Sequence, residues 1–180
     1  MDKKYSKINE KTKAFIQAQK LFFVGTAASD GRVSVSPKGA DSLRVLDENR
    51  VLWLNLSGSG NETAAHLIEN RRMTLMFCAF EGLPNILRLY GQARAFHPRD
   101  PEWQDLLSFF PTLPGARQII DMQVVLVQNS CGMAVPHFEY KGEREELNAW
   151  AESLGEEGLK KYWEAKNQVS LDGKATKILG

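Results

Sequence analysis

The sequence predicts a mainly β fold, a β-barrel with added helices. Three observations predict it. Short segments rich in Val, Ile, Leu and Phe recur between Phe22 and Gln128, bounded by Gly, Asp, Asn or Pro. Helical patterning is confined to short stretches beside these segments. There is no internal repeat and no low-complexity tract that would point to a solenoid or a disordered tail.

Taken in order, Asn9–Gln19 reads as a short amphipathic helix, with Phe15 and Ile16 on its apolar side. Phe22–Ala28 reads as a strand. Ser29-Asp30-Gly31-Arg32 is a hairpin turn, because Asp-Gly tolerates the positive φ of a tight turn. Val33–Lys38 is the return strand, with Pro37 near its end, where a missing N–H does least harm. Leu43–Leu46 is a further short strand, and Asp47–Arg50 turns the chain into the strand Val51–Leu56. Ser57–Asn61 is a loop, Glu62–Glu69 a helix, and Asn70 its stop. Met73–Phe80 and Ile86–Phe96 are strands joined around Gly82-Leu83-Pro84. Asp100 and Pro101 open a helix over Pro101–Phe110. Ile119–Gln128 is the last long strand. Glu143–Leu154 and Glu156–Asn167 are helices parted by Gly155. Ser170–Gly180 has few apolar anchors and is expected to be loosely held.

The composition bounds the function. Apolar residues make up 43% and charged residues 25% of a 180-residue chain, which suits a single globular domain over 1–180. The net charge of +1 gives no electrostatic footprint for nucleic acid or a membrane surface. No apolar run approaches the roughly 18 residues of a membrane helix. The start, Met1-Asp2-Lys3-Lys4, has no apolar signal core. Cys78 and Cys131 form no CxxC pair, and a reduced cytoplasmic protein is the expectation.

Three segments carry candidate chemistry. In Val33–Gly39, strand alternation sets Ser34, Ser36 and Lys38 on one face and Val33 and Val35 on the other. That polar face can receive a ligand or simply meet solvent. The second segment runs from strand to small-residue loop to helix: Val51–Leu56, then Ser57-Gly58-Ser59-Gly60-Asn61, then Glu62-Thr63. Free N–H groups at such a helix start favour an anion, commonly phosphate. Plain capping competes with this reading, because Ser59 with Glu62 fits a capping box and Asn61 can itself cap. The third segment, Ile86–Arg94, aligns Arg88, Tyr90, Gln92 and Arg94 on one face. Arginine can fork onto phosphate, or the row can form a solvated face. His66, His97 and His137 lack ligand spacing, so no metal site is expected. Cys131 is read as structural, and Trp150 and Trp163 as packing residues.

Together these segments resemble a known family. Phe22–Ala27, Val35–Gly39, Leu56–Thr63, Thr74–Gly82 and Leu87–Gly91, in that order, are similar to a branch of the pyridoxamine 5′-phosphate oxidase-like, FMN-binding split-barrel proteins. The similarity extends from about Leu21 to about Asn167 and includes Ser130-Cys131-Gly132, Val135-Pro136 and Phe138-Glu139-Tyr140. The resemblance implies a six-stranded split β-barrel with an N-terminal helix and a C-terminal helical extension. It also implies a homodimer with FMN lodged between subunits. Carried over residue by residue, it places Ser36, Pro37 and Lys38 against the flavin ring and phosphate region. Ser59, Gly60, Asn61 and Thr63 fall near the phosphate, Asn55 on the strand under the isoalloxazine, and Arg88 on a strand that sends a polar side chain to the cofactor. The chain departs from the oxidases at two places. Its loop reads Ser-Gly-Ser-Gly-Asn where they carry a basic Ser-Arg-Lys-type sequence, and its end lacks their arginine-rich substrate segment. The activity implied is a flavin-dependent oxidoreductase whose electron donor, NADH or NADPH, and substrate are open. The alternatives are a non-catalytic flavin-binding or stress-associated protein and a deazaflavin-dependent reductase.

Overall fold

The computed structural model describes residues 3–180; Met1 and Asp2, the start of the polar N-terminal stretch, lie outside the described residues. The elements follow the order β1 (Lys3–Tyr5), α1 (Glu10–Ala18), β2 (Phe22–Thr26), β3 (Ser34–Lys38), β4 (Leu43–Val45), β5 (Arg50–Leu56), α2 (Glu62–Glu69), β6 (Arg72–Cys78), β7 (Ile86–Phe96), α3 (Trp103–Leu107), β8 (Ala116–Ser130) and α4 (Glu146–Lys166). All strands join one sheet in the order β3-β2-β6-β7-β8-β5-β4, with β1 added beside the far end of β8. Every pairing is antiparallel. Without the three-residue strands β1 and β4, the remaining six strands are those of the expected split barrel.

Connectivity forces the sheet to curl. Its two edge strands, β3 and β4, are consecutive in the chain and separated only by Gly39–Ser42. That link spans at most about 19 Å at 3.8 Å per step. Laid flat at about 4.8 Å per strand, the two edges would stand about 29 Å apart. Ala40 and Asp41 take positive φ (59° and 51°) in this link, a left-handed conformation that non-glycine residues rarely adopt and that tightens the turn.

The curled sheet buries apolar side chains on both faces. Inside, Phe22, Val24, Trp53, Leu75, Phe77, Leu87, Leu89, Ile120 and Met122 form the main core. Outside, Leu52, Leu54, Phe96 and Ile119 pack against Trp103, Leu106 and Phe110 of α3 and its exit. Alternation along β5 therefore sends Val51 and Trp53 inward and Leu52 and Leu54 outward, as a strand buried on both faces must. Trp53 and Phe77 are buried in this core.

Several boundaries differ from the sequence expectation. β8 runs through Ala116–Ser130, longer at both ends than Ile119–Gln128, because β7, β5 and β1 all supply it with partners. The helix expected over Pro101–Phe110 is regular only at Trp103–Leu107. β2 stops at Thr26. The C-terminal helices are parted at Gly155, as expected, where φ is 60°.

The end of the chain corrects the expectation of loose tethering. Lys174 Nζ donates to Asp30 (2.7 Å) and Glu69 (2.8 Å), and Asp172 pairs with Arg32. Arg99 donates to the carbonyls of Lys177 and Ile178, and Ile178 is buried. Polar ties and one late apolar anchor hold the segment, which is why counting apolar residues missed it. Cys78 is buried, Cys131 is exposed, and both are free. Among the described residues no helix is long and apolar enough to cross a membrane.

Candidate functional site

A cavity of about 470 Å³ opens where β3, β5, the 57–61 loop and the start of α2 converge. Ser36, Pro37, Lys38, Asn55, Ser59, Gly60, Asn61 and Thr63 all line it. The structure thus brings together every predicted site residue except Arg88. On β7, the Arg88 guanidinium donates to Ser130 Oγ (2.9 Å), and Tyr90 donates to Gln128 (3.0 Å). Neither residue lines the cavity of its own chain.

Each wall follows from local structure. The β2–β3 hairpin presents Ser34, Ser36 and Lys38 on the cavity side, while Val33 and Val35 stand exposed on the other. Lys38 Nζ sits 5.3 Å from the centre of the Trp53 ring. Its ammonium is held well below the usual lysine range, at about 8, first by burial and then by the charge of Arg117.

Arg117 was missed by sequence reading, which began the last strand at Ile119. Here Asn55 pairs with Gln118 and Leu56 with Ala116, so Arg117 is the extra residue of a β-bulge. A bulge re-aims a side chain, and this one turns a guanidinium into the cavity. Arg117 is 2% exposed. Its Nη1 donates to Gly60 O (3.0 Å) and Asn167 Oδ1 (2.8 Å). Its Nε has no partner. Burial lowers its pKa to about 10, so it remains a cation at neutral pH. An arginine just before an apolar run, with small-residue turns nearby, is the only sequence signal that pointed to it.

The helix start does not use the side-chain capping that its sequence allows. No side chain caps α2: Asn61 occupies the N-cap position without a side-chain bond to the helix. Asn61 Nδ2 instead donates to Asn167 O (3.3 Å), and the buried Asn61 Oδ1 has no partner. Ser59 and Glu62 do not form a capping box, because both Glu62 carboxylate oxygens accept from Leu171 N–H (3.0 Å). The carboxylate nearest the loop is thereby engaged by the C-terminal segment. Lys38 and Arg117 have no carboxylate partner among the described residues.

Helix α4 borders this site. Leu147 lines the cavity, Trp163 Nε1 donates to Ser57 Oγ (2.8 Å), and Asn167 holds the 58–61 loop through Gly58 O (3.0 Å). Trp163, read from sequence as packing, therefore also fixes the loop. The Lys38 ammonium, the buried Arg117 guanidinium, the uncapped N–H groups and the hydroxyls together form a donor set chemically suited to an anion. Trp53 supplies apolar wall beside these groups. Among the described residues there is no cluster able to hold a metal ion.

The chain is similar to known proteins along most of its length. A family model described as pyridoxamine 5′-phosphate oxidase matches residues 8–131. The pyridoxamine 5′-phosphate oxidase family protein ustO of Aspergillus flavus is 34% identical over 187 aligned positions, which cover 94% of this chain and 75% of that protein. Among solved structures, a variant of HupZ from Group A Streptococcus superposes with a TM-score of 0.56 at 17% identity, covering 68% of this chain and 99% of HupZ. A candidate pyridoxamine 5′-phosphate oxidase from Lactobacillus delbrueckii gives 0.54 at 21% identity, covering 68% and 94%.

Proposed function

Because the chain belongs to the pyridoxamine 5′-phosphate oxidase family, we propose that it is a flavin-binding split-barrel protein that holds FMN and acts as an oxidoreductase. One observation carries the choice of a phosphorylated flavin: the half-buried Lys38 and the buried Arg117 share one cavity without a carboxylate partner. Unpaired buried charge is costly, and a phosphate offsets that cost. The orphaned Asn61 Oδ1 and Arg117 Nε add unmet hydrogen-bonding capacity at the same place.

In this reading Lys38, Arg117, Ser59, Thr63 and the N–H groups at Gly60–Thr63 bind the phosphate. Ser36, Pro37, Asn55 and Trp53 orient the ring. Bound flavin supplies two-electron redox chemistry at its ring. The lining holds no histidine, cysteine or tyrosine, and its one carboxylate, Glu62, is already engaged. The protein's part in this reading is binding, orientation and exclusion of water.

A second copy of the chain completes the site in this proposal, with Arg88 reaching the partner's cavity. Exposed apolar side chains at Val33, Val35, Val125 and Phe138 support a partner surface. The free cysteines fit a reduced cytoplasmic setting.

An absorption spectrum with and without a nicotinamide donor tests the activity. Purified protein should carry or take up FMN and bleach on addition of NADH or NADPH. A yellow protein inert to both would instead be a flavin-binding protein without turnover.

A further inference from the structure

Behind the cavity wall a row of buried polar side chains crosses three strands. Register aligns Phe96 with Ile119, and Asn55 with Gln118, so His97 follows β7 beside Gln118 of β8 and Asn55 of β5. Asn55 lines the cavity, and its Nδ2 donates to Gln118 Oε1 (3.0 Å). Gln118 Nε2 lies 3.1 Å from His97 Nε2. His97 Nδ1 lies 3.6 Å from Asp100 Oδ2, and the same oxygen accepts the His97 backbone N–H (2.8 Å). Gln118 is fully buried, and Asn55 and His97 are nearly so. A row of amides in an apolar interior is costly unless every member is satisfied, and leucine would fill the space more cheaply.

The row has a direction. A carboxylate only accepts hydrogen bonds, so Asp100 favours the tautomer with the proton on His97 Nδ1. Bare Nε2 must then accept, which turns the Gln118 amino group toward it and the Gln118 carbonyl toward Asn55. The Asn55 amino group meets that carbonyl, and Asn55 Oδ1 is left for the cavity. The reverse polarity would set the Nδ1 lone pair against the carboxylate. Burial and the Arg99 charge hold His97 below the usual histidine range, against Asp100, so the ring is neutral near pH 7.

We infer that Asp100, His97 and Gln118 are positioning residues that hold Asn55 as a hydrogen-bond acceptor toward the cavity, selecting a ligand that presents a ring N–H there. The ligand half of this inference rests on the flavin reading; the polarity of the row does not.

The test has two arms. Nitrogen-15 NMR of the ligand-free wild type reads the His97 tautomer directly. A proton on Nδ1 with bare Nε2 at pH 7.5 is expected, and a proton on Nε2 overturns the inference. The second arm is a double-mutant cycle on FMN affinity with Gln118→Met and His97→Phe, neither site touching the ligand. Each variant should lose about tenfold, the scale of one hydrogen bond, and the double variant should lose no more than either alone. Losses that multiply, or affinities within twofold of wild type, overturn the role of the row. A wild type that binds no FMN refutes the flavin reading, while the tautomer still decides the row's polarity.

Discussion

Lys38 and Arg117 bring two positive charges into one cavity wall, and their surroundings penalise both. In the unfolded chain Lys38 keeps its proton up to its ordinary value of 10.5, whereas in the folded protein it loses it near 8. Between those values the unfolded chain binds more protons, so stability must rise with pH. Below about 8 the penalty is fully present. Urea denaturation of ligand-free protein at pH 8 and pH 9.5 should show wild type gaining on Lys38→Met as pH rises; parallel behaviour would contradict the burial of a charged Lys38. Lys38→Ala should also weaken FMN binding more than Arg32→Ala, because Arg32 pairs with Asp172 at the hairpin turn, away from the cavity. An ammonium–phosphate contact is worth about 1.5–3 kcal/mol, roughly ten- to a hundredfold in affinity. Equal titration curves for the two variants would make Lys38 a mere surface charge. At this scale the site was partly legible. Strand alternation set Ser36 and Lys38 on the face that lines the cavity, and the loop-to-helix pattern set Asn61 and Thr63 beside it. Arg117 was not legible, because a bulge breaks the two-residue period on which such reading depends.

Among the elements, β7 and β8 form the longest pairing, and Gly91 sits at its irregularity. A Cβ at Gly91 would run into the carbonyl of Gln123, which is backbone and cannot swing aside. Gly91→Ala should therefore destabilise by about 1–3 kcal/mol or more, the range of overpacking in a tight interior. Thermal melts read the result, and an unchanged midpoint would show that the strands have room. The C-terminal segment makes a different kind of contribution. Through Lys174 it joins the hairpin turn at Asp30 to α2 at Glu69, and through Leu171 N–H it occupies Glu62. The pairing pulls the Glu69 carboxyl down to about 2 and raises Lys174 to about 12. Removing residues 169–180 should free Glu62 beside the 57–61 loop and weaken FMN binding along with thermal stability. Affinity untouched by the truncation would make the segment a passive tail. Helices and strands were largely legible, since caps, Asp-Gly turns and apolar runs mark them locally. The tail was not, because its partners lie more than a hundred residues away in sequence and no local pattern reports them.

For the whole molecule, a four-residue link between the two edge strands makes the sheet a curled, open barrel with its cavity at the seam. Exposed Val33 and Val35 at the edge strand β3 are the physical ground for proposing a two-fold dimer with two equivalent sites. Bound FMN should then stabilise the dimer by linkage. Sedimentation at low micromolar protein should show a dimer that FMN tightens; a monomer holding FMN one-to-one would contradict a shared site. The central claim is narrower: the cavity recognises a flavin by its phosphate. Titration with FMN and with riboflavin, which differ only by that group, tests it most directly. FMN should bind at least about tenfold more tightly, with the advantage lost in Arg117→Met, as expected for charge-assisted phosphate contacts. Equal affinity for the two flavins in the wild type would contradict the account.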